Sequence, residues 1–316
     1  MRYRADSQCT APSMASTHNR HPGVELALLG LLAVLWGSSY LLLKIALATI
    51  PPITLIAMRV SIAAVFLLMV VAQQRARLPG DWRTWRMLFV QALFSSIASW
   101  TLLAWGQQVV DSSLAGVLNS TSPIFVLLST WRVTRHEDVT AWKAAGALLG
   151  LAGVILIVGL DALRGLGKET LGQLAVLASA VLYACAAIHG KRFSSLTPTV
   201  AAAGTMLWAS ACLVPLSLIV EKPWLLQPSL SSIAAAAALG FFCTGIALLI
   251  YFRLVRTIGS MGVASQSYLR AGVSVLLGVF VLGERISAVT AAGLLAIIAG
   301  VVMINIDRRV VSPARL

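Results

Sequence analysis

The chain of 316 residues is 59% apolar and only 11% charged, with a mean hydropathy of +0.88, where soluble domains carry about 25% charged residues. These values exclude a water-soluble globular protein. The net charge of +13 is spread in short clusters between apolar segments, which is the pattern of membrane topology and not of a nucleic-acid-binding surface.

Residues 1–22 are polar and lack helical periodicity, so a disordered cytoplasmic tail is expected there, with Met14 as a second possible start. Beyond it, apolar segments of about 20 residues, the helix length that a hydrocarbon core about 30 Å thick requires, fall near 25–47, 54–73, 87–106, 113–131, 142–160, 170–190, 198–220, 231–252, 260–282 and 287–306. Lipid leaves each backbone group to be paired within its own segment, so all are expected to be helical. Their unbroken apolarity excludes a transmembrane β-barrel, whose strands alternate. The fold class read from the sequence is therefore all-α, a polytopic membrane protein of ten transmembrane helices, with residues 307–316 as a cytoplasmic C-terminal tail.

Basic residues set the orientation. Arg75, Arg77, Arg83, Arg86, Arg132, Arg135, Lys143, Lys191, Arg192, Arg253, Arg256, Arg308 and Arg309 fall on one side, whereas Arg164, Lys168, Lys222 and Arg285 fall on the other. Both termini are thus expected in the cytoplasm. Cys9, Cys185, Cys212 and Cys243 have no CxxC spacing, so neither a zinc site nor a disulfide framework is indicated, and no cofactor is expected.

Comparing the chain with itself at an offset of 147 residues reveals a duplication. Glu137, Gly146 and Gly153 lie over Glu284, Gly293 and Gly300, and Trp36, Lys44 and Pro51 lie over Tyr183, Lys191 and Pro198. Ala46-Leu47-Ala48 has the form of a signal cleavage site, yet a removable segment would have no counterpart in the second half. The domains expected are residues 23–160 and 161–306, each a five-helix repeat. Because five is odd, the second repeat must enter the membrane from the opposite face, giving two inverted repeats. That layout suits alternating access around a site near the midplane.

Trp36-Gly37-Ser38-Ser39, Arg59, Asn119-Ser120-Thr121-Ser122-Pro123, Gly283-Glu284, Gly293 and Ala299-Gly300, in this order and duplicated, resemble the EamA family of the drug/metabolite transporter superfamily over residues 25–306. Two positions depart from the family pattern: the first junction reads His136-Glu137 without Gly, and Arg270-Ala271 stands where similar proteins carry an apolar residue followed by Pro. The resemblance implies a secondary transporter, a small-molecule substrate, and a possible homodimer through helices five and ten.

Arg270 is the most informative residue, because an Arg near mid-bilayer costs about 2.5–3.5 kcal/mol to insert and needs a polar partner. A water-filled cavity, backbone carbonyls or an anionic substrate group would serve, and a guanidinium fork suits a carboxylate. Snorkelling to the interface is the competing reading. Gln266 and Tyr268 stand within a turn of it, and Asn119 and Ser120 occupy the corresponding stretch of the first half. With Trp36, Tyr40, Trp100 and Tyr183 they form a candidate chamber, although packing explains any one aromatic equally well. Arg59 joins the candidates by resemblance. Its position, like that of Lys44, also fits an anchor at the outer membrane surface, and His189 reads as a wetted interface residue.

An enzyme at membrane depth would need a nucleophile with a base, or metal ligands, and the sequence holds no HExxH or GxxxxGK[ST] motif. The function expected is a secondary-type exporter of a small metabolite such as an amino acid, with a carboxylate as the group Arg270 would engage, in a bacterial inner membrane with lipids as its other partner. A channel or an intramembrane lipid-modifying enzyme is the alternative.

Overall fold

The computed structural model describes residues 22–110, 115, 118–129, 131, 140–158, 169–193, 195–270, 272–273 and 288–305. The N-terminal tail up to residue 21, the C-terminal tail 307–316, Glu137 and Glu284 lie outside the described residues. Among the described residues the regular structure is entirely helical: α1 (Pro22–Leu47), α2 (Pro52–Gln73), α3 (Trp82–Gly106), α4 (Ser122–Ser129), α5 (Ala141–Val158), α6 (Thr170–Gly190), α7 (Pro198–Val220), α8 (Leu230–Thr257), α9 (Gly259–Ala264) and α10 (Ala288–Asn305). Six of these, α1, α2, α3, α6, α7 and α8, are long and apolar enough to cross a membrane, and α5 and α10 contain shorter apolar helices.

Local chemistry sets the ends of the long helices. Pro52 and Pro198 occupy first-turn positions, where the missing N–H costs nothing. Thr197, Ser229 and Asp81 accept from the amides of Val200, Ser232 and Thr84 at the starts of α7, α8 and α3. The start of α2 has no cap of its own. Instead, the Glu221 carboxylate at the end of α7 accepts from the amides of Ile53 and Thr54, at 3.0 and 2.6 Å, and from the Thr54 hydroxyl at 2.7 Å. An anion at a helix N-terminus also meets the positive end of the macrodipole.

The duplication is visible in the backbone. Both α3 and α8 contain a π-helical turn, at Leu93–Ile97 and Phe241–Ile246, which overlap at the repeat offset. α2 and α7 are followed by left-handed basic residues, Arg75 and Lys222, again corresponding positions. The packing pairs obey the same exchange: α1 lies on α8 as α6 lies on α3, and α2 pairs with α7 and α5 with α10.

The α5–α10 crossing shows how the two halves are oriented. Gly146 lies against Gly300 and Met303, and Gly153 lies against Gly293 and Ile297, so the two corresponding helices run antiparallel. A Cβ on Gly153 would stand 2.6 Å from the Gly293 carbonyl oxygen, and one on Gly300 would stand 2.6 Å from that of Gly146 and 2.7 Å from the Gly150 nitrogen. Backbone groups cannot yield as a side-chain tip can, so only glycine permits this approach.

The sequence suggests continuous helices over 113–131 and 260–282. The structure interrupts both, within three residues of corresponding places. Residues 118–119 are helical, 120–121 form a turn and α4 starts at Ser122; α9 ends at Ala264, Ser265 is a turn, and helix resumes over 266–270. Pro123 has no N–H to offer the Asn119 carbonyl, and the Ser122 hydroxyl takes that role at 2.8 Å, while Thr121 donates to the Leu118 carbonyl at 2.5 Å. In the second half, Ser265 and Ser267 donate to the carbonyls of Gly262 and Ala264 at 2.6 and 2.9 Å. Side-chain hydroxyls thus satisfy carbonyls that the ladder has released.

Gly300→Ala should lower the thermal unfolding midpoint in detergent by an amount equivalent to about 1–3 kcal/mol, the usual cost of overpacking. Gly80→Ala, where an added Cβ meets nothing within 4 Å, should leave the midpoint unchanged. Equal behaviour of the two variants would show that the α5–α10 crossing tolerates separation.

Candidate functional site

Where the broken helices meet, Ser120 donates from its hydroxyl to the Ser267 carbonyl at 3.2 Å. These two residues correspond under the repeat offset, so the axis relating the halves passes between them. Beside this contact lies a cavity of about 30 Å³ lined by Trp36, Ser39, Leu43, Arg59, Ser99, Trp100, Leu103, Asn119, Ser179, Tyr183 and Arg270. That volume holds roughly two waters. Larger hollows, such as one of about 310 Å³ bounded by Met58, Ile62 and Leu218, lie on the flank of the α2–α7 pair and have no charged lining.

Arg270 sits half-buried at the cavity wall. Its Nε donates to Gln266 Oε1 at 2.8 Å and its Nη1 reaches Asn119 Oδ1 at 3.5 Å, so both broken segments hold it. The guanidinium carbon lies 5.1 Å from the Trp36 ring centre and 5.9 Å from that of Tyr183, within cation–π range. α1 passes close by, since Gly37 lies near the Arg270 carbonyl and the Val273 side chain.

Arg59 corrects the reading as a surface anchor. It is 6% exposed and its Nε donates to Thr244 Oγ1 at 2.6 Å, its Nη2 to the Cys243 carbonyl at 3.3 Å, and its guanidinium stacks 4.1 Å from the Trp100 ring centre. The π turn of α8 makes this possible, because a π turn shifts carbonyls out of the regular ladder. The Cys243 carbonyl also accepts from Trp36 Nε1 at 2.8 Å, tying α1 and α2 to the same turn. Lys44, by contrast, is exposed, as an interfacial anchor would be.

The sequence candidates divide accordingly. Trp36, Arg59, Trp100, Asn119, Tyr183 and Arg270 share the cavity. Gln266 is fully buried behind Arg270, and Ser120 is committed to the contact on the axis. Tyr268 points away: its hydroxyl donates to the Ala147 carbonyl at 2.9 Å and its ring lies over Gly150, so it packs α5 and does not line the cavity. The Tyr40 side chain lies outside the described residues. His189 is half-buried, with Nδ1 3.1 Å from Gln91 Oε1 and its ring edge-on to Phe193, rather than freely wetted.

Ser39 stood in the Trp36-Gly37-Ser38-Ser39 run without being singled out for the site, and Ser99 and Ser179 were not singled out at all. Ser99 pairs with Ser179 at 3.0 Å across α3 and α6. The available signal was the run Ser95, Ser96 and Ser99 inside an apolar span.

At the opposite end of α1 and α8, Glu25 accepts from Arg253 Nη2 at 3.1 Å and from the Thr257 hydroxyl at 2.9 Å. Between this latch and the cavity stand the packed rings of Trp36, Tyr183 and Tyr251, with centres 5.6–6.2 Å apart.

A duplicated helical bundle with membrane-length helices, broken at its centre around a small charged cavity, is the architecture of a membrane transporter. The EamA-like transporter family model matches residues 24–159 and 170–306, and the chain belongs to that family. It is similar to the uncharacterized inner membrane transporter YedA of Escherichia coli, at 26% identity over 277 residues, 88% of this chain and 89% of the relative. The uncharacterized transporter YoaV of Bacillus subtilis is 24% identical over 279 residues, 87% and 95% of the respective chains. A crystal structure at 22% identity superposes with a TM-score of 0.74 over 90% of this chain and 97% of its own, a likeness of fold. Family and relatives point to transport rather than to enzymatic chemistry.

Trp36→Phe keeps a ring beside Arg270 but loses the indole bond to the Cys243 carbonyl, and should cost about 1 kcal/mol. Trp36→Ala should cost about 3–5 kcal/mol, read as thermal midpoints in detergent. Indistinguishable midpoints would show that this tie does not hold α1 to α8.

Proposed function

We propose that the protein is a secondary carrier of the inner membrane that exports a small metabolite, such as an amino acid, by alternating access between two inverted five-helix repeats. Ten spans with both termini in the cytoplasm complete the reading, with repeats over 23–160 and 161–306 between short tails. The observation that carries it is the cavity on the axis between the halves, lined by two buried or half-buried arginines where both helices break. The antiparallel course of α5 and α10 supports inversion.

Arg270 is the proposed contact for a substrate carboxylate. Its bonds to Gln266 and Asn119 aim the guanidinium, and the small volume of the cavity makes substrate binding depend on helix movement. In this orientation the cavity is closed toward the cytoplasm by the Trp36–Tyr183–Tyr251 rings, with the Glu25–Arg253–Thr257 latch beneath them. A homodimer would use the outer faces of α5 and α10, where Leu148 and Leu295 are exposed, because their glycine faces are already occupied by each other.

In liposomes containing the purified protein, flux of a carboxylate-bearing probe should saturate, and Arg270→Ala should lower kcat/KM at least about tenfold, the loss expected for a charge-assisted bond. Unchanged transport and unchanged preference in that variant would remove Arg270 from the site. Glu25→Gln weakens a latch whose Arg253 is half exposed, an interaction worth up to about 1 kcal/mol. The inward-open population should therefore rise up to about fivefold, measured as maleimide labelling of Ser179→Cys from the cytoplasmic face in a background with the native cysteines replaced. Labelling that stays the same would show that the latch does not hold this end shut.

A further inference from the structure

We infer that the hollow on the flank of the α2–α7 pair seats one acyl chain of an anionic phospholipid, with the headgroup phosphate at Lys222. This site is separate from the cavity on the axis, and it stands or falls independently of the carrier reading above.

The hollow, of about 310 Å³, is bounded by Ala57, Met58 and Ile62 of α2 and by Val214 and Leu218 of α7, and its lining is free of charged side chains. Val214 and Leu218 are exposed on a helix of membrane-crossing length, so this flank faces hydrocarbon. From Thr54 to Ile62 the α2 wall runs for about 12 Å, at 1.5 Å per residue. That is close to the roughly 15 Å depth of one leaflet, half of a hydrocarbon core about 30 Å thick. The trough therefore has the length and direction of a single acyl chain, and it opens at the membrane surface where α7 ends.

The groups at that end suit an anion. The hydroxyls of Thr54 and Ser217 bond each other at 2.8 Å, and the Glu221 carboxylate is engaged by the amides of Ile53 and Thr54. Lys222 takes a left-handed φ of 48°, which ends α7 and sets Pro223 against the trough, and its side chain is exposed. Trp224 and Leu225, next along the chain, are exposed as well, as residues seated at the membrane–water interface are. A lysine stem lies along apolar surface and carries its ammonium to the level of the phosphates. A zwitterionic headgroup brings its own ammonium to that place, whereas a headgroup with net negative charge does not, so Lys222 favours the second.

The test uses the full chain, purified and delipidated in detergent, with lipid retention read by native mass spectrometry. One dioleoyl phosphatidylglycerol per chain should be retained saturably, about fivefold more tightly than dioleoyl phosphatidylethanolamine, as one lysine near an anionic headgroup implies. Lys222→Gln should bring that ratio to about one, whereas Lys44→Gln, which removes another exposed basic residue, should leave it unchanged. Ser61 also lines the trough, so Ser61→Leu should fill part of it and weaken both lipids about tenfold, the equivalent of about two buried CH₂ groups. Glycerol 3-phosphate, an anionic phosphate without acyl chains, should not compete. Should Ser61→Leu fail to fold, the ratios for Lys222→Gln and Lys44→Gln decide. Equal retention of the two lipids by the unmodified protein, an equal change in Lys222→Gln and Lys44→Gln, unchanged retention in Ser61→Leu, or displacement by glycerol 3-phosphate overturns the site.

Discussion

Lipid offers a polypeptide no hydrogen-bond partners, and that constraint decides where this chain is able to interrupt its helices. Both interruptions lie where the two halves meet, among buried residues, and each is repaired by hydroxyls: Thr121 and Ser122 in one half, Ser265 and Ser267 in the other. Once the ladder is broken there, polar groups exist at membrane depth without exposing backbone to hydrocarbon. Asn119 and Gln266 then stand where they hold the Arg270 guanidinium, a group costly to leave in hydrocarbon. The π turn of α8 contributes in the same manner, because its Cys243 carbonyl accepts from both Trp36 and Arg59.

The frame is nearly symmetric and the charge is not. Packing pairs, π turns and left-handed residues repeat at the same offset in both halves. Arg59, however, corresponds to Met206, and Arg270 corresponds to Pro123. The scaffold repeats in both halves, whereas the asymmetric cations give the cavity its charge. The closures differ too. Glu25 and Arg253 join α1 to α8 at one end, and the corresponding positions on α6 and α3 are Gly172 and Gly106, whose backbones approach closely enough that a Cβ on Gly106 would lie 2.8 Å from the Gly172 carbonyl oxygen. One end is therefore held by charge and the other by close packing.

Much of this was legible in linear order. Continuous apolar segments, basic clusters and the offset of 147 residues are properties of the chain itself, because the membrane-crossing length and the energetic cost of burying charge act on each segment separately. Arg270 was conspicuous for the same reason. Arg59 was legible as a candidate but not as a buried residue, since nothing in its neighbourhood along α2 shows that Thr244, Cys243 and Trp100 close around it from residues far away in sequence. Tyr268 stands two residues from Arg270 and yet faces α5, where the absent side chain of Gly150 leaves room for its ring.

The sequence by itself thus determined that the chain is a duplicated helical membrane protein with an arginine inside an apolar stretch, because hydrophobicity and charge are local quantities. The tertiary structure alone decided which polar side chains share one enclosed space, where the helices break, and that two arginines face the same cavity. Those outcomes depend on helix rotation and crossing, which contacts between residues far apart in sequence decide, such as those of Trp36 and Arg59 with the Cys243 carbonyl.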